Sequence, residues 1–194
     1  MLLMIFVMMG GLASWEVKDD LGLLTAYASL CPTGEVTFHG SFEIRQTKLS
    51  GPSIFTVKVI PLTPNKKYGL AIHLFGDCKD PGPHYNPEYN GHGEINEKAS
   101  HLGDLGNMET DSLGRIYYRG LAERIAITGD RGVVGRVIAL HELEDDLGKG
   151  EDRKQSRIDG GMGKIIACGV IGYSKPIKEK PVRRPAKEET TEAN

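Results

Sequence analysis

The chain predicts an all-β fold, a sandwich or barrel. Apolar residues recur at period two, the apolar runs are short, and glycine-rich turns separate several of them. No stretch carries a helical stripe, and many short strands with regular turns pack stably only as a sandwich or a closed sheet. The first run is Glu35 to Arg45, where Val36, Phe38, Phe42 and Ile44 alternate with Thr37, His39, Ser41, Glu43 and Arg45. That pattern is a half-buried strand, and it puts His39 on the solvent face, away from any ligand role. Phe55, Val57 and Val59 form the next strand, ended by Pro61 and the Pro64-Asn-Lys-Lys turn. Leu70–Phe75, Ile116–Tyr118, Ile125–Ile127, Val133–His141 and Ile165–Tyr173 follow, with Gly106, Gly114, Gly129 and Gly132 as turn glycines.

At 194 residues the chain can bury one good core. Its formal net charge of -2 gives no bulk attraction to nucleic acid or to anionic membrane. Residues 1–13 are nearly all apolar, too short for a membrane span but matched to the hydrophobic region of a signal peptide. Gly11-Leu12-Ala13 is a small-x-small sequence at a cleavage distance, and Trp15-Glu-Val-Lys-Asp-Asp20 turns polar at once. The expectation is a secreted chain, although no Lys or Arg precedes the apolar run; the alternative is an apolar strand packed on the core. The tail, 175–194, mixes charges with prolines and has almost nothing to bury, so disorder is expected. Lys178, Lys180, Arg183, Arg184 and Lys187 suit sulfated glycans or other acidic partners. The interleaved glutamates equally suit a merely solubilising tail.

The chemistry concentrates between His73 and Asp104, where four of the six histidines fall. Gly, Pro and Asn are too frequent there for a helix. His84, His92, His101 and Asp104 offer three imidazoles and one carboxylate, a set that suits a closed tetrahedral zinc site. A metal would also order a long loop that has no secondary structure of its own. Chance accumulation of His and Asp in a polar loop is the alternative.

Several motifs recur in a fixed order. They are His73-Leu-Phe-Gly-Asp, Gly-Pro-His84-Tyr-Asn-Pro, His101-Leu-Gly-Asp104-Leu-Gly-Asn, Gly129-Asp and Gly135-Arg. His141-Glu, Asp145-Asp-Leu-Gly-Lys-Gly150 and Ala167-Cys168-Gly-Val-Ile-Gly172 complete the series. Together they resemble the copper/zinc superoxide dismutases over residues 26–173. The resemblance implies an eight-stranded Greek-key barrel with two long loops, the metal loop and a second from Glu142 to Lys164. It implies zinc on His84, His92, His101 and Asp104, and copper on His73, His141 and His84, with His84 bridging the two. It also implies a disulfide between Cys78 and Cys168, worth roughly 4–5 kcal/mol for a closed loop of about ninety residues. Secretion is compatible with that bridge; free buried thiols would need a reducing compartment. Cys31 is left over, as a core or turn residue or, alternatively, an intermolecular link.

Two departures weaken the copper half. The family has His-x-His where this chain reads Ala71-Ile72-His73, so one copper ligand is absent. Three histidines and a water can still bind Cu(II), but affinity and reduction potential should both shift. The family also places an anion-guiding Arg three residues before the final Cys, and here that residue is Ile165. Lys164 beside it is the replacement candidate, a point charge without the planar fork of Arg. Asp145 resembles the carboxylate that hydrogen-bonds one copper and one zinc histidine, and here only His92 remains for it; a solvated loop charge is the other reading.

These residues leave enzyme status open. The first expectation is a secreted, zinc-stabilised relative of the dismutases with weak or absent activity that acts by binding. Its partners would be a second copy, a true dismutase in a heterodimer, or a surface ligand met by the tail. Cys168-Gly-Val-Ile-Gly172 resembles the family's dimer contact, or is an ordinary buried strand. The alternative is an active enzyme that converts superoxide to oxygen and hydrogen peroxide with copper on three histidines. A copper-chaperone module is disfavoured, because such modules use paired thiols such as Cys-x-Cys and this chain has none.

Overall fold

A computed structural model of the protein describes residues 24–35, 37–46 and 52–175. The expected signal peptide at 1–13, Val36 and all but Lys175 of the tail lie outside the described residues. Nine strands and one helix make up the rest: β1 Leu24–Pro32, β2 His39–Gln46, β3 Ser53–Ile60, β4 Lys67–Ile72, β5 Asp104–Glu109, β6 Ile116–Ala122, β7 Val137–His141, α1 Arg153–Asp159, β8 Ile165–Val170 and β9 Gly172–Ser174.

Alternation builds the strands as the sequence suggests. Along β3 the inward residues Phe55, Val57 and Val59 are buried while Ile54, Lys58 and Ile60 face out. On β2, Phe42 and Ile44 are fully buried, and Phe42 stacks on Phe55 with ring centroids 6.0 Å apart. His39 is exposed, as its place on the polar face requires.

The strands follow one antiparallel path, β5-β4-β7-β8-β1-β2-β3-β6. The path's two ends, β5 and β6, approach each other, so eight strands form a nearly closed barrel. Near closure leaves little exposed sheet edge. β9 continues β8 along the same side of β1, with Tyr27 opposite Gly172 and Cys31 opposite Cys168. Consecutive strands β3 and β4 are not neighbours, nor are β6 and β7. These crossovers join one half, β1-β2-β3-β6, to the other, β5-β4-β7-β8, in Greek-key fashion.

Several sequence boundaries shift. β1 and β5 were not legible as strands. The first expected strand, Glu35 to Arg45, begins only at His39, with Phe38 buried just ahead of it. Ile125 and Ile127 are buried, but their segment makes only an isolated bridge between Ala126 and Gly132. The expected strand Val133–His141 starts at Val137, and Leu70–Phe75 ends at Ile72. Ile165–Tyr173 is interrupted at Ile171. The second long loop contains α1, capped by Asp152, which accepts hydrogen bonds from the Lys154 and Gln155 amides at 3.1 Å each. Cys31 is neither core nor turn: it faces outward on β1 and is exposed. Among the described residues no helix is long and apolar enough to cross a membrane.

Candidate metal centre

Two bulges aim the site. The β4–β5 register shifts between Gly69 and Ala71, and the β7–β8 register shifts between Leu140 and His141. Bulges re-aim side chains beside functional sites, and these two lie where the chain delivers His73 and His141. His73 leaves β4 and makes an isolated bridge with His84, which draws the start of the metal loop against its middle. Within the loop, the Leu74 amide donates to the Pro83 carbonyl and the Phe75 amide to the Pro81 carbonyl, each at 2.9 Å.

Two buried clusters result, and they share one residue. His84, His92, His101 and Asp104 form the first; His73, His84 and His141 form the second. In the first, Nδ1 of His84, His92 and His101 stands 2.9, 3.0 and 3.3 Å from Oδ1 of Asp104. The other oxygen of Asp104 accepts the amides of Gly93 at 3.1 Å and His101 at 3.0 Å, so Oδ1 alone is turned to the imidazoles. In the second cluster, Nε2 of His73 and Nε2 of His141 are 3.1 Å apart. Their Nδ1 atoms are fixed by carbonyls, His73 by Gly82 at 2.7 Å and His141 by Gly163 at 3.1 Å. Such bonds set the tautomer that leaves Nε2 free as a ligand atom.

The donors fit metal ions. Buried imidazole nitrogens are normally paired, yet Nε2 of His84 and Nδ1 of His92 and of His101 have no hydrogen-bond partner. All three belong to the clusters, where they converge with the other potential ligand atoms. Three nitrogens with one carboxylate oxygen suit zinc, and three nitrogens suit copper. Electrostatics agree for the second cluster. Burial, then the neighbouring His84, lowers His73 to about 4, and burial likewise lowers His141 to about 4, so both are neutral at pH 7. Burial works against charge on His92 as well, but Asp104 and Asp145 outweigh it and raise the group to about 10. Burial would raise Asp104, yet the three histidines around it hold the carboxyl well below its usual range.

Asp145 is held for one partner. Its Oδ1 accepts from Nε2 of His92 and from the Leu147 amide, both at 2.7 Å. Asn107 clamps its backbone reciprocally, with both bonds at 2.8 Å. The other oxygen, Oδ2, is buried and unpartnered. Ala71 is fully buried in register with Asp104 on one side and Ala139 on the other, so the residue that replaces a histidine sits between the ligand-bearing strands. Met162, also fully buried, packs over the neighbouring Gly69: its sulfur lies 2.0 Å from where a Cβ would stand.

The anion-guiding position is apolar. Ile165 stands opposite His141 in the β7–β8 register and packs with Val137, Ala139, Cys168 and Cys78. Lys164 is exposed and paired with Glu142 at 3.3 Å. Cys78 and Cys168 are disulfide-bonded, which ties the metal loop to β8.

Three contributors escaped the sequence reading. Gly160, at φ 68°, leaves no room for a Cβ, which would lie 2.3 Å from Oδ1 of Asp145 and 2.4 Å from Nε2 of His92. Asn107 lies in a quoted motif, but its clamp needs the fold. Arg136 donates to the Leu74 carbonyl at 2.7 Å and lies over the Tyr85 ring at 3.5 Å, which fixes the loop from below.

Residues 38–171 match the sequence model of the copper/zinc superoxide dismutases. The chain belongs to that family. The superoxide dismutase [Cu-Zn] of Claviceps purpurea is 39% identical over 145 residues, covering 73% of this chain and 94% of that protein. The enzyme of Podospora anserina gives the same identity over the same length, and that of Neurospora crassa is 37% identical over 146 residues. Family membership implies copper and zinc as cofactors, and the two buried donor clusters could hold metal ions.

Proposed function

We propose that this protein is a secreted, zinc-binding member of the family whose dismutase activity is impaired or lost and which acts by binding. The carrying observations are the buried, unpartnered Oδ2 of Asp145 and the fully buried Ala71, which brings no imidazole. Zinc would be held by His84, His92, His101 and Asp104, and zinc without copper supplies no redox chemistry. Copper, when bound by His73, His84 and His141, would supply the one-electron cycling that superoxide disproportionation needs. This chain's own part in that reaction would be to keep His73 and His141 neutral and oriented through Gly82 and Gly163. The residue opposite His141 is the uncharged Ile165, and the adjacent Lys164 is paired with Glu142.

The proposed partner is a second copy of the chain, or a related dismutase. Phe75, Val170 and Tyr173 are apolar and exposed. The Val137 amide bonds the Phe75 carbonyl at 2.9 Å, and Val137 stands opposite Val170, so the backbones that carry two of the three meet at Val137. Secretion accords with the disulfide. The active-enzyme reading rests on the three converging imidazoles of the second cluster.

One experiment separates the two. The purified chain is offered excess zinc and copper, loose metal is removed, and both ions and the decay of superoxide are measured. One zinc, little copper and no rate above buffer is the expected result. One of each, with a rate near the diffusional range of about 10⁸–10⁹ M⁻¹s⁻¹, overturns the proposal.

A further inference from the structure

The three cysteines of the chain meet on one outer face of the barrel. Cys168 of β8 is bonded to Cys78 of the metal loop, with Cα atoms 5.9 Å apart, while Cys31 of β1 carries a free, exposed thiol. The β1–β8 ladder sets Cys31 directly opposite Cys168 and Pro32 opposite Ala167. Directly opposed residues of an antiparallel pair point to the same side. The side is outward: Ala28, Leu30 and Ala167 belong to the core, and Cys168 packs with Val137, Ala139 and Cys78 outside it. Two residues along, the Thr33 amide donates to the Ile166 carbonyl at 3.0 Å. Pair types alternate along such a ladder, so Cys31 and Cys168 form a hydrogen-bonded pair with Cα atoms about 5.5 Å apart. Disulfides span roughly 4.4–6.8 Å between Cα atoms, so this pairing brings Cys31 and Cys168 within disulfide range.

We infer that Cys31 is a resident exchange partner for the Cys78–Cys168 disulfide, able to convert it into a Cys31–Cys168 cross-strand bond. The Cys31 thiolate attacks Sγ of Cys168. The Cys31–Cys168 bond forms as the Cys78–Cys168 bond breaks, and the electron pair leaves on the Cys78 sulfur, which takes up the proton that Cys31 gave up. One thiol and one disulfide stand on each side of the reaction, so no oxidant or reductant takes part.

The two isomers differ in what they hold. The Cys78–Cys168 bond ties the loop between His73 and His84 to the barrel, whereas the Cys31–Cys168 bond links two strands already joined by a ladder. After exchange, Cys78 is released together with the covalent tie on the segment that carries both histidines. Exchange therefore switches the metal loop between tethered and untethered states at constant redox charge.

Thiol mapping tests this on the full, zinc-loaded chain. The protein is held at about pH 8.5, near the ordinary thiol range, then quenched in acid, alkylated, digested without reduction and mapped by mass spectrometry. A tag that moves in part from Cys31 to Cys78, together with a Cys31–Cys168 linked peptide, is the expected outcome. Independently, Cys78→Ser in glutathione buffer should form the Cys31–Cys168 bond within one chain. A tag confined to Cys31 after prolonged incubation overturns the inference. So does a Cys78→Ser chain, folded by circular dichroism, that keeps two free thiols or cross-links between chains.

Discussion

Replacing Asp145 by Ala should weaken zinc binding and leave copper binding alone. The asymmetry follows from the two oxygens. Oδ1 accepts a hydrogen bond from Nε2 of His92 at 2.7 Å and so presents Nδ1 to the first cluster, while Oδ2 has no partner. Losing a carboxylate that orients a ligand histidine typically lowers metal affinity 10- to 100-fold, about 1.4–2.8 kcal/mol at 1.4 kcal/mol per decade. The Leu147 amide loses its acceptor too, which costs the fold about 1 kcal/mol. Asp145→Asn keeps an acceptor for His92 and should lose less than Asp145→Ala. The assay is competition against a chromogenic zinc chelator, repeated for copper with a copper indicator. A zinc affinity unchanged within threefold in Asp145→Ala would refute the one-sided role. So would a copper affinity that falls as far as the zinc affinity.

Other expectations are more direct. Ala71→His places a fourth imidazole between the ligand-bearing strands; copper affinity should rise at least tenfold by competition titration, and no rise would remove Ala71 as the cause of a weak copper site. Stripping zinc with a chelator should lower Tm, because a ligand at about 1,000 times its Kd adds about 4 kcal/mol to the folded state; calorimetry with and without chelator reads the difference. Gly160→Ala should destabilise by about 1–3 kcal/mol in a denaturant titration, since its Cβ would meet Asp145 and His92 at 2.3 and 2.4 Å. Reducing the Cys78–Cys168 bond, which spans 90 residues of sequence, should cost about 4–5 kcal/mol, measured as a shift in the urea midpoint.

What the sequence disclosed tracks how local each signal was. The alternation in β2 and β3 is strong, because large apolar residues stand at every second place, and both strands were readable from it. β1 has the same period, but its buried set is Ala26, Ala28 and Leu30, and small residues carry little contrast against Tyr27 and Ser29. β5 was hidden for the opposite reason: Asp104-Leu-Gly-Asn-Met-Glu opens on a ligand within a glycine-rich motif, so loop chemistry masks a strand. Every residue of both donor clusters was legible, since imidazoles and carboxylates announce themselves by type. The vacancy at Ala71 was legible only against the family pattern. Gly160 was not legible, because its constraint comes from His92 and Asp145, 68 and 15 positions away, which meet it only once the barrel has formed. Val133 is buried as a strand residue would be, but the ladder begins at Val137, a boundary that hydrogen bonds set and hydrophobicity does not.

The halves of the barrel are unequal in what they owe to the metals. Every cluster residue comes from β5, from the end of β7, or from the loop that follows β4. None comes from β1, β2, β3 or β6. Apart from Cys31 on β1, substitution there meets only the demands of packing and pairing, so most of that half is insulated from the donor chemistry. That half can drift, acquire new surface contacts or absorb destabilising changes without altering a ligand distance. A lineage under relaxed demand for catalysis would therefore accumulate its first changes of chemistry on one side and its first changes of partner on the other.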